Sequence, residues 1–417
     1  MSLLIRDALV GGRPQDVYVE EERITEIGRR QEADLIIDGR DKACLPGLVN
    51  GHTHAAMTLL RSVADDMGLQ DWLEQRIWPL EAKLRPEDIY WGTRLACLEM
   101  IRSGTTTFND MYFFMEEAAR AVVDMGLRAV LSYGIIDLFD EKKAEAELKA
   151  TEGFLRFVRG LGNPRVQAAV GPHAMYAVSE GTLVAAKSLA VDEGVKVHFH
   201  LAETEREVKE SQARYGKGPV RALDEMGFLG EWLVAAHCVW VRERDARILG
   251  DRGVSAVHNP GSNMKLGVGR AFPYQALRAA GVTIGLGTDG AASNNNLDMF
   301  EEVKLACLLQ KFATREPTAL PAGEAWRMAT EGGADALGLP TGRLEEGKLA
   351  DLILVDLKSP QLVPRHDLTS LVAYAANGSV VDTVICNGRL LMREGQVEGE
   401  AEIIQEAQDR APGLKEM

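Results

Sequence analysis

The sequence predicts a parallel (β/α)₈ barrel that carries a small β-sandwich built from both ends of the chain. Three observations lead there. At 417 residues the chain exceeds one ordinary core and suits a barrel of about 250 to 300 residues plus an accessory domain. Its middle alternates eight short apolar runs with amphipathic stretches, the pattern of parallel strands joined by crossover helices. Its two ends lack that alternation and read as strands and turns.

The elements follow in order. Near the start, Asp16–Glu20 (DVYVE) and Arg23–Ile27 (RITEI) alternate apolar and polar residues about a turn at Glu21 and Glu22, and Leu35–Asp38 forms a third short strand. Eight barrel strands are then expected at Gly47–His54, Thr105–Asp110, Arg128–Gly134, Val166–His173, Val195–Ala202, Trp232–Val239, Val254–Asn259 and Thr283–Asp289. Between them lie helical stretches such as Pro86–Ser103, Met115–Met125, Glu180–Glu193 and Asp298–Phe312. Near the end, Asp351–Asp356 (DLILVD) and Val380–Cys386 (VVDTVIC) are β-rich, and Asn387-Gly388 is a hairpin-type turn. Residues 1–47 and 347–417 are therefore expected to meet in one small sandwich domain, with 48–346 forming the barrel.

Composition narrows the function. Hydrophobic residues make up 46% and charged residues 26%, the balance of a soluble globular chain. The net charge of -15 disfavours a nucleic-acid partner, because phosphate binding needs clustered Lys and Arg. No run approaches the ~18 apolar residues of a membrane span, and the apolar run at the start is too short for a signal peptide. Cys44, Cys97, Cys238, Cys307 and Cys386 are scattered, without CxxC or metal-ribbon spacing, and read as reduced thiols. A cytoplasmic enzyme is expected, with neither nucleic acid nor membrane as partner. The sequence leaves a homo-oligomer open.

The polar residues carry the functional signal. Seven of the eight histidines lie in or at the ends of expected strands: His52, His54, His173, His198, His200, His237 and His258; His366 does not. Asp289 closes the eighth strand. The C-terminal strand ends of such a barrel converge on one mouth, where catalysis occurs. Residues two apart on a strand share a face, so His52 with His54, and His198 with His200, can point inward together. Imidazole and carboxylate suit Zn²⁺ and related metals. A lone strand histidine is more often a hydrogen-bonded core residue, and an Asp after a strand more often a cap or turn former. It is the combination that points to a metal. Only one of His198 and His200 is needed for it, and His258, before Asn259-Pro260, reads as bracing a turn.

At this point the motifs resemble a family. Pro46-Gly47-Leu48-Val49-Asn50-Gly51-His52-Thr53-His54, the HxHxAE at His198–Glu203 and the GTDGAASNNN at Gly287–Asn296 are similar to the amidohydrolase superfamily. The segment Met57–Leu84 with Trp72 and Trp78-Pro79-Leu80-Glu81, and HNPGSNMKLG at His258–Gly267, resemble the 5-methylthioadenosine/S-adenosylhomocysteine deaminases, relatives of the chlorotriazine hydrolases. The resemblance covers nearly the whole chain. It implies a TIM-type barrel with one divalent metal per subunit, Zn²⁺ first and Fe²⁺ or Mn²⁺ as alternatives, held by His52, His54, His200 and Asp289. It implies that Glu203 shuttles protons and contacts substrate, that His237 positions the water and that Asp289 takes part in proton transfer. It implies that Glu81 binds the ribose hydroxyls, and that His173 and Trp72 contact substrate. The absence of a strand-5 lysine favours one metal over two.

The implied reaction is hydrolytic deamination at C6 of the adenine ring of 5-methylthioadenosine, adenosine and S-adenosylhomocysteine by a metal-bound hydroxide, giving the inosine analogue and ammonia. The family's arginine after strand 3 is missing here: residues 132–155 carry Lys142, Lys143 and Lys149 as their only cations. A lysine lacks the two-pronged carboxylate grip, so the homocysteine compound is expected to be the poorer substrate. Rival readings on the same scaffold are a guanine or cytosine deaminase and a triazine dechlorinase. A non-catalytic barrel scaffold is the rival from another class, and the complete ligand set argues against it.

Overall fold

A computed structural model describes residues 2–28 and 31–415. Eight parallel strands form the central sheet: β1 (Leu48–Thr53), β2 (Thr105–Tyr112), β3 (Arg128–Ile135), β4 (Val166–Pro172), β5 (Val197–Leu201), β6 (Leu233–His237), β7 (Ser255–His258) and β8 (Thr283–Leu286). They hydrogen-bond in sequence order from β1 to β8. Every residue of β2 is buried, as expected for a strand covered on one face by helices and on the other by the barrel interior.

The ring closes at its mouth through side chains as well as backbone. Asn50 on β1 donates from Nδ2 to Thr288 Oγ1 at 2.7 Å and accepts the Thr288 N–H at 3.1 Å. Just beyond, the Asp289 N–H reaches the His52 carbonyl at 3.0 Å. Gly287 permits this approach: a Cβ there would lie 2.7 Å from the His52 nitrogen. The closure therefore holds Asp289 against His52.

The chain ends build a nine-stranded mixed sheet with its own apolar cluster, which includes Leu3, Ile5, Val17, Val19, Leu352 and Ile385. Lys42–Pro46, from the first part of the chain, pairs antiparallel with Leu352–Asp356 from the last, so the two ends share one ladder. The Asn387-Gly388 turn has both φ angles positive, 52° and 72°, and joins Val381–Cys386 to Arg389–Arg393. The β-rich reading of the end is incomplete. Two helices, Leu368–Tyr374 and Glu400–Lys415, also lie there. The second packs on the barrel helix Pro86–Arg102, where Arg410 reaches Asp88 at 3.1 Å and Glu87 at 3.0 Å. Among the described residues no helix is long and apolar enough to cross a membrane, and all five cysteines are free and buried.

After β1 the chain crosses the barrel mouth in short helices over Leu69–Trp72, Leu73–Ile77 and Trp78–Glu81. The middle one is a π-turn, closed by the Trp78 N–H on the Leu73 carbonyl. Pro79 follows and has no N–H to continue the ladder. This cover brings Trp72, Trp78 and Glu81 onto the cavity below.

Candidate active site

The C-terminal strand ends bring the expected residues to one place. His52 Nε2 and His54 Nε2 each stand 3.4 Å from Asp289 Oδ1, and His200 Nε2 stands 3.3 Å from His54 Nε2. Donors bonded to zinc at about 2.0–2.1 Å in a tetrahedron lie roughly 3.4 Å apart, so these spacings fit one ion. His237 joins the cluster with His52 and Asp289.

The outward faces of the rings fix which nitrogen looks inward. His54 Nδ1–H donates to the Met111 carbonyl at 2.7 Å, and His200 Nδ1–H to the His173 carbonyl at 2.8 Å. A backbone carbonyl only accepts, so both rings carry the proton on Nδ1 and leave a lone pair on Nε2. His52 Nδ1 bonds His198 Nε2 at 2.7 Å, and His198 continues to Ser132 Oγ at 3.4 Å. His198, the first histidine of strand 5, thus points at His52 Nδ1 and braces that ring. The His52 Nε2 atom itself is buried without a hydrogen-bond partner, an arrangement that is costly unless a cation takes the lone pair.

Burial reinforces this state. It pushes His52 down to about 4 and His173 to about 3, and holds His198 and His200 well below the usual imidazole value, so these rings are neutral. Burial opposes ionisation of Asp289, but the adjoining imidazoles of His52, His54 and His237 outweigh it and keep that carboxyl far below its ordinary range. Ser262 Oγ donates to Asp289 Oδ2 at 2.6 Å, and the Gly290 N–H reaches Oδ1 at 2.7 Å. Asp289 (φ 62°) and His237 (φ 71°) both have left-handed backbone, a strain that persists where surrounding structure over-determines it.

Glu203 faces the same cavity. Its Oε1 lies 3.7 Å from His237 Nδ1, and burial raises its pKa. Its backbone is held by Glu207, which accepts the Ala202 and Glu203 N–H groups at 2.8 and 2.9 Å. His237 Nδ1–H donates to Asn263 Oδ1 at 2.9 Å. Glu81 enters from the cover, where burial raises its pKa and the Tyr112 hydroxyl and His54 partly offset the rise. The His173 ring lies tilted against His200, with ring centroids 4.6 Å apart. The cavity is lined by Trp72, Glu81, His173, Glu203, His237 and Asp289, among others. His258 stands apart, stacked on Phe272 at 4.5 Å, and His366 is exposed.

Residues 43–391 match the amidohydrolase family. The chain belongs to that family. This amidohydrolase is 53% identical over 420 residues to a 5'-deoxyadenosine deaminase of Methanoregula boonei, covering 99% of this chain and 95% of that one. It is 49% identical over 403 residues to 5-methylthioadenosine/S-adenosylhomocysteine deaminase 1 of Archaeoglobus fulgidus, covering 96% and 95%. Among solved structures it resembles an adenosine deaminase from Xanthomonas campestris with bound zinc, at 36% identity and TM-score 0.94 over 100% and 99% of the two chains. The amidohydrolase is thus a hydrolase acting on carbon–nitrogen bonds.

Sequence reading assigned no role to Ser262, Asn263, Glu207 or Tyr112. The first two lie inside the HNPGSNMKLG motif, and Glu207 sits four residues after Glu203, so their positions were visible while their partners were not. The supports at Met111 and His173 are backbone carbonyls, which no residue type signals.

Proposed function

We propose that this amidohydrolase deaminates adenosine-type nucleosides at C6, with 5'-deoxyadenosine and 5-methylthioadenosine as preferred substrates. The observation that carries the reading is one cavity that joins the His52, His54, His200 and Asp289 donor set to Glu203 on one side and to Glu81 on the cover. The close relatives named for 5'-modified adenosines support it.

His52, His54, His200 and Asp289 would hold one divalent ion; zinc is favoured by their chemistry and by the zinc in the Xanthomonas campestris structure. Such an ion makes water available as a nucleophile near neutral pH. Glu203 would take a proton from the attacking water as its oxygen bonds C6 and deliver that proton to ring N1; its burial-raised pKa suits a group that must both accept and give. His237, held by Asn263, orients the water. Asp289 would take the second proton from the oxygen bonded to C6 and pass it to the amino group, which leaves as ammonia when the C6–N bond breaks. Glu81 accepts hydrogen bonds from the ribose hydroxyls and sets the ring at attack distance. A free base such as guanine has no ribose hydroxyls for Glu81 to hold.

Beyond Glu81 a second, more open pocket of about 490 Å³ adjoins the first, with Trp78, Phe113 and Ile136 on both walls. Leu84, Ile89, Phe114, Leu138 and Glu147 line it, and Lys143 is its one cation among the described residues. A methyl or methylthio group meets apolar wall there. A homocysteine carboxylate would meet a single point charge.

The test is ammonia release, with the purine absorbance change, from zinc-loaded protein given 5'-deoxyadenosine, 5-methylthioadenosine, adenosine, S-adenosylhomocysteine and guanine. The expected order of kcat/KM places the first two highest and S-adenosylhomocysteine lower, with guanine inert. Turnover of guanine with none of the nucleosides would reverse the assignment.

A further inference from the structure

Glu302 lies outside the cavity on the helix Met299–Thr314, is fully buried, and has no part in the proton transfers above. Two N–H donors converge on it. Its Oε2 accepts the Gly261 N–H at 3.0 Å, and its Oε1 accepts from Asn294 Nδ2 at 2.8 Å. Asn294 Nδ2 also reaches the Thr288 carbonyl, one residue before Asp289, at 2.7 Å. The contact at residue 261 is tight: a Cβ there would lie 2.5 Å from Glu302 Oε1 and 2.7 Å from Asn294 Oδ1.

Gly261 belongs to a short helical turn, Pro260–Lys265. The next two side chains of that turn diverge onto two different groups of the site. Ser262 Oγ donates to Asp289 Oδ2 at 2.6 Å. That leaves Oδ1 as the oxygen facing His52 and His54, at 3.4 Å from each. Asn263 Oδ1 accepts from His237 Nδ1 at 2.9 Å. Gly261, Ser262, Asn263, Asp289, His237 and Glu302 are all buried, so the turn cannot move without carrying both contacts with it.

We propose that Glu302 is a positioning residue which, by seating the turn at Gly261, aims Asp289 through Ser262 and His237 through Asn263 together. This rests on the reading of Asp289 as a metal ligand and His237 as the residue orienting water. The two oxygens of Glu302 meet two N–H donors, whose bonds offset part of the rise that burial imposes on its pKa, which stands at about 8. A glutamine offers one acceptor and turns its own NH₂ toward that of Asn294, so it keeps one of the two bonds.

The experiment compares wild type with S262A, N263A, E302A and E302Q. It reads zinc affinity by titration calorimetry, the visible spectrum of the cobalt-loaded protein, kcat and KM on 5-methylthioadenosine, and thermal unfolding. S262A is expected to lower metal affinity about 10- to 100-fold, and N263A to leave affinity intact while lowering kcat about 10- to 100-fold at unchanged KM. E302A combines both losses and alters the cobalt spectrum, and E302Q falls between it and wild type. An E302A protein that loses thermal stability but keeps wild-type affinity, spectrum and kcat would overturn the proposal. If E302A does not fold, E302Q decides: wild-type affinity and kcat overturn it, and partial loss of both supports it. A wild-type protein that binds no divalent ion would overturn the metal-site reading itself, a result visible before any variant is made.

Discussion

At the end of the barrel facing the small sheet, Arg128, the first residue of β3, is almost fully buried. Its guanidinium meets Asp351 from Nε at 2.9 Å and from Nη2 at 3.2 Å, and Asn387 Oδ1 at 2.8 Å. The remaining demand of Asp351 is met by the Asn387 N–H at 2.6 Å. At the mouth, an equally buried set of polar groups is left incomplete. Three imidazole nitrogens and a carboxylate oxygen face one another, His52 Nε2 has no partner, and His237, Cys238 and Asp289 hold left-handed backbone. One barrel thus buries charge in two ways. The far end satisfies its charge internally and joins barrel to sheet; the mouth keeps its donors unpaired, and a ligand can complete them. Stability belongs to the first arrangement and chemistry to the second.

The sharpest break in that comparison comes from the mouth. E203Q keeps the shape of the side chain but cannot carry the proton. It is expected to lower kcat by about 10²- to 10⁴-fold, with metal content and unfolding temperature unchanged. Turnover near wild type, in protein shown to carry a full complement of metal, would remove Glu203 from the proton path.

The converse applies at the far end. R128A leaves Asp351 as a buried charge with one fewer partner, and should cost about 3–5 kcal/mol of stability, measured by denaturant unfolding. Its kcat on 5-methylthioadenosine in the folded protein should match wild type. A loss in kcat with little loss of stability would mean that the two ends are not independent.

Much of this division could be read in the chain. The HxH spacings of β1 and β5 and the position of Asp289 after β8 place donors at the mouth because strand alternation and barrel closure leave few other arrangements. What was not legible depends on groups without a sequence signature or on contacts between distant segments. His198 looked redundant because its bond to His52, 146 residues away, exists only once β1 and β5 share a barrel. The terminal helix Glu400–Lys415 was missed because its apolar positions, such as Ile403 and Ala407, are few, and its burial comes from packing on Pro86–Arg102. The cover was recognisable only by resemblance, since the π-turn that lets Trp72, Trp78 and Glu81 face inward is a backbone event.

The smallest expected effect concerns Glu207, which lies between the two regimes. It is buried beneath the mouth, yet both its oxygens are satisfied by backbone N–H groups. Burial pushes its carboxyl from 4.5 up to about 7. The folded state therefore holds the proton more tightly than the unfolded chain does. The favourable contribution is fully present below about pH 4.5 and is lost as pH rises through about 7. At 1.36 kcal/mol per unit this amounts to about 3 kcal/mol. E207Q removes the titration but also one acceptor, so its absolute stability is not the diagnostic quantity. The diagnostic is the difference between wild type and E207Q, measured by denaturant unfolding with chelator present. That difference should move in favour of the variant by about 3 kcal/mol between pH 4.5 and pH 8. A difference that stays constant over this range would mean that Glu207 remains ionised in the folded protein, and that the two backbone donors outweigh its burial as completely as Asp351 and Asn387 do for Arg128.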